Sequence, residues 1–303
     1  MNPSPFTGAR WLELALDYRC NLRCLGCRAC AGGEEQLAPE RALARMRQAR
    51  ASGVEGVWFG GGEPTLRPEL PALLRAARAL GFPRRLVQTN GLRLAYAPYR
   101  AALLDAGLTA LRLNLKSLDP ELHDHLSRAP GSHALLEQAL DGLASSSLDL
   151  AGDVLLTIPS LPTLADTLEH YAHRGLRAFS LWLLSAFDSD DPSVSQAVPS
   201  PQALVEPLRQ ALLRCQALSV HLESLHTPWC LLPPDLAPLF RPAADWRLVV
   251  VDPSDRPFLL QRSPFEGGSY LPSCASCRLR PTCPGPRPDY LALHGPGAFQ
   301  PLP

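Results

Sequence analysis

Nine cysteines stand in this chain of 303 residues, and their spacing is the first sign of chemistry. Cys20, Cys24, Cys27 and Cys30 crowd into one short segment near the start. Cys215 stands alone, and Cys230, Cys274, Cys277 and Cys283 gather towards the end. The N-terminal residues hold no apolar run resembling a secretion signal, so a cytoplasmic location is expected, where thiols serve metals rather than disulfides. Cys20-x3-Cys24-x2-Cys27 places three thiolates in one loop. Three thiolates can hold a [4Fe–4S] cubane and leave its fourth iron open to an external ligand. On spacing alone a structural zinc loop remains open, with Cys27-x2-Cys30 as a metal pair and Cys30 as a fourth ligand.

The C-terminal group reads differently. Cys274-x2-Cys277-x5-Cys283 together with Cys230 supplies four thiolates, enough to close one metal centre completely. By itself this suits a tetrahedral zinc site stapling a module too small for its own core, or a fully ligated iron–sulfur cluster. Cys215 continues the apolar stripe Leu204, Leu208, Leu212 and belongs to a helix core. His123-Asp124-His125 is not a metal pair, because i and i+2 residues do not face each other on a helix; a solvated helix start is expected.

The elements that must position these residues follow a repeating pattern. Strands are expected at Trp11–Leu16, Val54–Phe59, Arg85–Thr89, Thr109–Leu115, Val154–Ile158 and Ala178–Leu184. Helical stretches lie between them: Pro39–Ala51 ended by Ser52-Gly53, one that can start at Pro68, Ala95–Ala106, one opened by Asp119-Pro120, and Leu164–His173. Alternation of this kind predicts a parallel sheet, and about six βα units before residue 190 are too few for a closed eight-fold barrel. The expected fold is an open, partial (β/α)6 barrel spanning 1–190. A bridging helical segment over 191–227, with a helix at Ala203–Ala217, and a loop-rich module over 228–303, with one strand at Arg247–Val251, complete it. Chemistry in such folds sits at the C-terminal strand ends. The cysteine loop falls there, as do Gly60-Gly61-Gly62-Glu63-Pro64 and Thr89-Asn90-Gly91. On the fourth strand Arg112, Asn114 and Lys116 alternate with leucines and share one face, as a charged ligand would require.

Composition narrows the class. Hydrophobic residues make up 46% and charged residues 19%, and the formal net charge is zero. No global field draws the chain to nucleic acid or an anionic membrane, although Arg84 with Arg85, or Arg278 with Arg280, can make a local basic patch. No stretch approaches the roughly 18 apolar residues of a membrane span. The 32 prolines thicken after Pro192, where the regular alternation stops.

Over residues 10–185 the chain resembles the radical S-adenosylmethionine (SAM) superfamily, whose signature is CxxxCxxC after the first strand and GGEP after the second. The resemblance implies a partial barrel and a [4Fe–4S] cluster held by Cys20, Cys24 and Cys27, with its open iron chelated by the amino and carboxylate groups of SAM. It implies Gly61, Gly62, Glu63 and Pro64 at the methionine amino group, and Thr89, Asn90, Asn114 and Lys116 at the ribose or carboxylate of SAM. Gly26 departs from the family, where an aromatic residue often precedes the third cysteine; Cys30 lies outside the pattern. The C-terminal spacing resembles the CxxCx5C core of SPASM and twitch extensions, with Arg287 standing where a further cysteine would be. That implies one auxiliary [4Fe–4S] cluster on Cys230, Cys274, Cys277 and Cys283. The activity implied is reductive cleavage of SAM to a 5′-deoxyadenosyl radical and hydrogen abstraction, oxidising or crosslinking a peptide. Dehydrogenation or epimerisation of a small molecule is the alternative, and a non-catalytic, metal-stabilised binding protein the reading from another class. Expected partners are the substrate, a reductant such as flavodoxin or ferredoxin, and a separate peptide-recognition protein.

Overall fold

A computed structural model describes residues 4–27, 33–187, 191–263 and 266–302. Along the chain run β1 (Trp11–Ala15), α1 (Pro39–Ala51), β2 (Gly56–Gly60), α2 (Leu70–Ala79), β3 (Arg84–Thr89), α3 (Ala97–Asp105) and β4 (Ala110–Leu115). Next come α4 (Pro120–Ser127), α5 (Ser132–Leu143), β5 (Asp149–Leu156), α6 (Leu164–His173) and β6 (Ala178–Leu183). The last elements are α7 (Pro192–Ala197), α8 (Pro201–Ala217), β7 (His221–Leu225), β8 (Leu248–Val251), β9 (Pro257–Leu259) and α9 (Pro288–His294). The strand order β7-β6-β5-β4-β3-β2-β1-β8-β9 has two free ends. The sheet is therefore open, as expected of a partial barrel.

The chain divides into two compact units. The first comprises Met1–Asn114, His123–Ala151 and Trp246–Leu260; the second comprises Leu115–Leu122, Gly152–Asp245 and Gln261–Pro303. In the first, β1 pairs in parallel with both β2 and β8, β2 with β3, and β3 with β4. Alternate residues of these strands (Leu12, Leu14, Val57, Phe59, Val87, Leu111 and Leu113) are wholly buried. Each such side chain contributes about 1.5–3 kcal/mol by leaving water. The strand expected at Arg247–Val251 forms as β8, and its run Leu248-Val249-Val250-Val251 is buried throughout, as a strand covered on both faces must be. It lies beside β1 in the first unit, with β9 antiparallel to it.

In the second unit β6 and β7 pair in parallel, and α8 packs on α6 and β7. Cys215 is buried in that helix, as its apolar stripe predicts. His123 corrects the expectation of a solvated helix start: in the first unit it is buried, its ring edge-on to His133. Asp124 accepts from the backbone N–H groups of Gly131 and His133 and from the Ser132 hydroxyl, so it caps the start of α5.

Candidate active site

The polypeptide leaves β1 into Asp17-Tyr18-Arg19 and enters the cysteine loop. Two backbone hydrogen bonds tie this exit to the end of β2: Gly62 N–H donates to Asp17 C=O at 2.7 Å, and Glu63 N–H to Arg19 C=O at 2.8 Å. The approach is so close that a Cβ on Gly61 would lie 2.3 Å from the Asp17 oxygen, and one on Gly62 would lie 2.2 Å from the Arg19 oxygen. The glycines thus let the β2 turn press against the backbone that carries Cys20. Behind the exit, the buried Asp17 carboxylate accepts from Arg19 and lies 3.5 Å from the equally buried Arg67 guanidinium. Arg67 also donates to the carbonyls of Leu16 and Leu37.

Glu63 braces the next strand. Its Oε1 accepts from the Thr65 N–H at 3.0 Å, the Thr65 hydroxyl at 2.6 Å and the Thr89 hydroxyl at 2.7 Å, while Oε2 accepts from the Asn90 N–H at 2.7 Å. Burial pushes its carboxyl above the usual range, and the four donors pull it back in part. Pro64 opens the short turn Pro64–Leu66 that Glu63 caps. The Asn90 amide donates to Asn21 Oδ1 at 2.8 Å and approaches Cys20 Sγ at 3.9 Å. The Leu22 N–H donates to the same sulfur at 3.3 Å. Farther along the loop, Leu25 N–H donates to Leu126 C=O, and Cys27 N–H closes a turn on Cys24 C=O. Gly26 sits inside that turn with φ +71°, a conformation an aromatic side chain would resist.

The structure thus gathers Cys20, Gly61, Gly62, Glu63, Thr89 and Asn90 around one strand-end turn. Asn114 lies half-buried near the end of β4, and Lys116, buried, follows that strand in the second unit. Cys30 falls outside the described residues. Cys20 and Cys24 are partly buried and Cys27 is exposed. Burial first, then Glu63, Cys27 and Cys24, pushes the Cys20 thiol up to about 11, so the thiols lie within electrostatic reach of one another. Three thiols on one loop, with N–H groups aimed at a sulfur, fit an iron–sulfur cluster. Among the described residues, no three His, Cys, Asp or Glu side chains converge on a single-ion site.

The second cysteine group lies within the second unit. Burial, then Cys283, Cys274 and Cys277, pushes the Cys230 thiol up to about 12. The segment Leu271–Cys283 is a run of tight turns, with Cys277 N–H donating to Cys274 C=O and Cys283 N–H to Leu279 C=O. Gln300 N–H reaches back to Cys230 C=O. Gly285 N–H donates to Cys283 Sγ at 3.3 Å, and a Cβ at Gly285 would lie 2.0 Å from the Ser269 oxygen. Arg287 is one of the most buried side chains. It donates to the carbonyls of Leu183 and Leu184 and pairs with Asp289, which accepts from the Ser185 hydroxyl and the Ala186 N–H. Where a further cysteine would bind metal, an Arg–Asp clamp holds the end of β6.

Asp17, Asn21, Thr65 and Arg67 are positioning residues that the spacing of cysteines and glycines did not single out. Their signal was weak: one buried-type pairing of Asp17 with Arg67 across fifty residues leaves no periodic trace.

An open parallel sheet with a thiol triad at one strand end and a glycine-rich turn at the next defines the class. The family model of the radical SAM superfamily matches residues 17–174, just over half of the chain, and the protein belongs to that superfamily. Membership implies an enzyme that uses SAM and a [4Fe–4S] cluster. A GTP 3′,8-cyclase of Synechococcus elongatus is 35% identical over 194 residues, covering 60% of this chain and 57% of its own. The chain therefore spans little more than half the length of that relative. Among solved structures, native anSMEcpe with bound SAM superposes with a TM-score of 0.66 at 12% identity, over 96% of this chain and 92% of that one. Streptococcus suis SuiB gives 0.62 at 16% identity, over 94% and 67% respectively. A SuiB structure with bound precursor peptide SuiA gives 0.50 at 20% identity, over 59% and 40%. These likenesses show the fold. Among the described residues, no helix is long and apolar enough to cross a membrane.

Proposed function

We propose that this enzyme cleaves SAM reductively at a cluster held by Cys20, Cys24 and Cys27 and modifies a peptide by oxidation or crosslinking. When bound, the cluster and SAM supply a 5′-deoxyadenosyl radical that takes a hydrogen atom from an unactivated C–H bond. The protein's part is to place and shield. The β2 turn clamps Asp17–Arg19 and so sets where Cys20 stands. The Leu22 N–H and the Asn90 amide, both directed at the Cys20 sulfur, stabilise its thiolate form. Because both Glu63 oxygens are engaged by Thr65, Thr89 and Asn90, backbone carbonyls of Gly61 and Gly62 are the better acceptors for the methionine ammonium. Thr89, Asn90, Asn114 and Lys116 are assigned to the ribose and carboxylate of SAM. Pro64 shapes the turn.

Cys230, Cys274, Cys277 and Cys283 are assigned to one auxiliary [4Fe–4S] cluster in a twitch-like module. The mutual electrostatic influence of these four thiols supports that grouping. Full ligation suits the group to electron transfer, with a flavodoxin or ferredoxin as reductant. Peptide substrates are supported by the fold shared with SuiB, which has been captured with its precursor peptide. The similarity to a GTP 3′,8-cyclase favours a second reading, a nucleotide or other small molecule as substrate.

The observation that carries the proposal is the β2 turn pressed onto the cysteine loop. The test is anaerobic reconstitution, EPR of the reduced protein with and without SAM, and analysis for 5′-deoxyadenosine. Cys24→Ala should abolish deoxyadenosine and leave the C-terminal metal in place. Cys277→Ala should remove about four irons per chain. SAM cleavage surviving in Cys24→Ala would overturn the assignment, and loss of zinc rather than iron in Cys277→Ala would return the C-terminal site to a structural staple.

A further inference from the structure

Within the second unit, the four C-terminal cysteines stand on two stretches of chain. Cys230 lies shortly after β7, and Cys274, Cys277 and Cys283 stand on the tight turns of Leu271–Cys283. A buried acid–base pair that nothing above has used lies between these stretches. His226, the first residue past β7, places Nδ1 3.1 Å from Glu266 Oε1, and the two side chains are 8% and 5% exposed. Among the described residues neither atom has an aligned hydrogen bond, so proximity and charge join them. A carboxylate oxygen buried without a donor is costly, and the imidazole beside it can supply the compensating positive charge. The Arg287 guanidinium is within electrostatic reach of Glu266, but its N–H groups go to Leu183, Leu184 and Asp289.

Each partner is fixed to its own stretch. His226 has a left-handed backbone (φ +61°), uncommon for a residue with a side chain. Its ring lies against Trp182, with centroids 5.0 Å apart, and the Trp182 indole N–H donates to Asp153. Glu266 leads directly into a segment stitched to the chain around Cys283. Gly268 N–H donates to Pro284 C=O, Ser269 N–H to Pro286 C=O, and the Tyr270 hydroxyl to Cys283 C=O. The two backbones are so close that a Cβ on Gly267 would stand 2.5 Å from the Gly285 oxygen. The Glu266 carboxylate is thus tied to the Cys283 stretch, and the His226 imidazole to the stretch that carries Cys230.

We propose that His226 and Glu266 are positioning residues for the C-terminal cysteines: their buried contact clasps the Cys230 stretch to the Cys283 stretch and holds the thiols ready for a metal. The inference rests on the reading that these four thiols hold a metal, and it applies to an iron–sulfur cluster and a zinc ion alike. Cys230 is distant in sequence from the other three. Closing so long a loop costs entropy at each uptake of metal unless the protein's own contacts close it first.

The test uses the whole chain, reconstituted anaerobically, with iron and zinc followed as they pass to a chromogenic chelator. Cys24→Ala and Cys277→Ala, each emptying one site, separate the N-terminal from the C-terminal metal. Glu266→Gln and His226→Gln should each speed loss of the C-terminal metal about 10–100-fold, the range for residues that hold metal ligands in place. The N-terminal iron should leave at the parental rate. The double variant, which strands neither partner, should lose metal far more slowly than the product of the two single effects predicts. Asp235→Asn breaks an exposed pair with Arg209 in the same unit and should leave the rate unchanged. Parental metal loss in both single variants, or single effects that simply multiply in the double, overturns the clasp. Loss of the N-terminal iron in step with the C-terminal metal marks general unfolding and overturns it too. A parent without C-terminal metal overturns the underlying reading as well, so the two failures are distinguishable.

Discussion

Gly62→Ala isolates the contact on which the proposed active site depends. The backbone at Gly62 has no positive φ, so alanine is conformationally acceptable there and only the close approach is tested. The added methyl would begin 2.2 Å from the Arg19 oxygen and 2.6 Å from the Tyr18 carbonyl carbon, and the two backbones must part until the nearest contact reaches at least 3.0 Å. That displacement strains the Gly62–Asp17 and Glu63–Arg19 hydrogen bonds, worth about 1 kcal/mol each. Overpacking adds about 1–3 kcal/mol. The metal-free protein should therefore lose about 2–5 kcal/mol of unfolding free energy, measured by urea denaturation. Because the displaced atoms adjoin Cys20, misplacement approaching 1 Å should slow deoxyadenosine release about 100-fold. The C-terminal iron should be unaffected. Gly297→Ala, with nothing within 4 Å of its added methyl, is the control and should change neither quantity. A Gly62→Ala protein with parental stability, iron content and SAM cleavage would refute the claim that this contact positions the cysteine loop.

Two further outcomes test the second unit. Arg287→Leu strands the buried Asp289 carboxylate and should cost about 3–5 kcal/mol in urea denaturation, with Asp289→Asn added to it recovering a large part; a loss below about 1 kcal/mol would show the clamp to be dispensable. At Glu223 burial would raise the carboxyl pKa, but hydrogen bonds from His221, Ser180 and Arg241 outweigh it and hold it at about 2. Its folded pKa lies below the unfolded value, so its stabilisation is present above the unfolded pKa and is lost as pH falls from about 4.5 to about 2. Glu223→Gln should remove that part of the acid destabilisation, about 3 kcal/mol at most, seen as a flatter profile of metal-free stability between those pH values.

Much of the architecture was legible because it rests on local rules. Strand β1, helix α1, β3 and β6 fall within a residue or so of their expected limits, since apolar alternation and helix breakers act over neighbouring residues. Helix α2 starts at Leu70 rather than Pro68 because a turn at Arg67–Leu70 intervenes. Strand β7 escaped the reading because polar His221 and Glu223 interrupt its apolar run; Glu223 finds its partners only across the fold, in Ser180 and Arg241. Helix α5 was likewise missed, although Asp124 supplies its cap from eight residues upstream.

The cysteine spacing and the glycine-rich turn were readable by eye because both are short, and the superfamily follows from them with the strand order. By itself, the sequence determined the kind of chemistry and the loops that carry it. Only the tertiary structure decided what the motif residues do. Gly61 and Gly62 face the backbone leading to Cys20, and Glu63 spends its carboxylate on Thr65, Thr89 and Asn90. These roles depend on which backbone lies a few ångströms away from residues distant in sequence. That distance is set by strand pairing, and no local spacing encodes it.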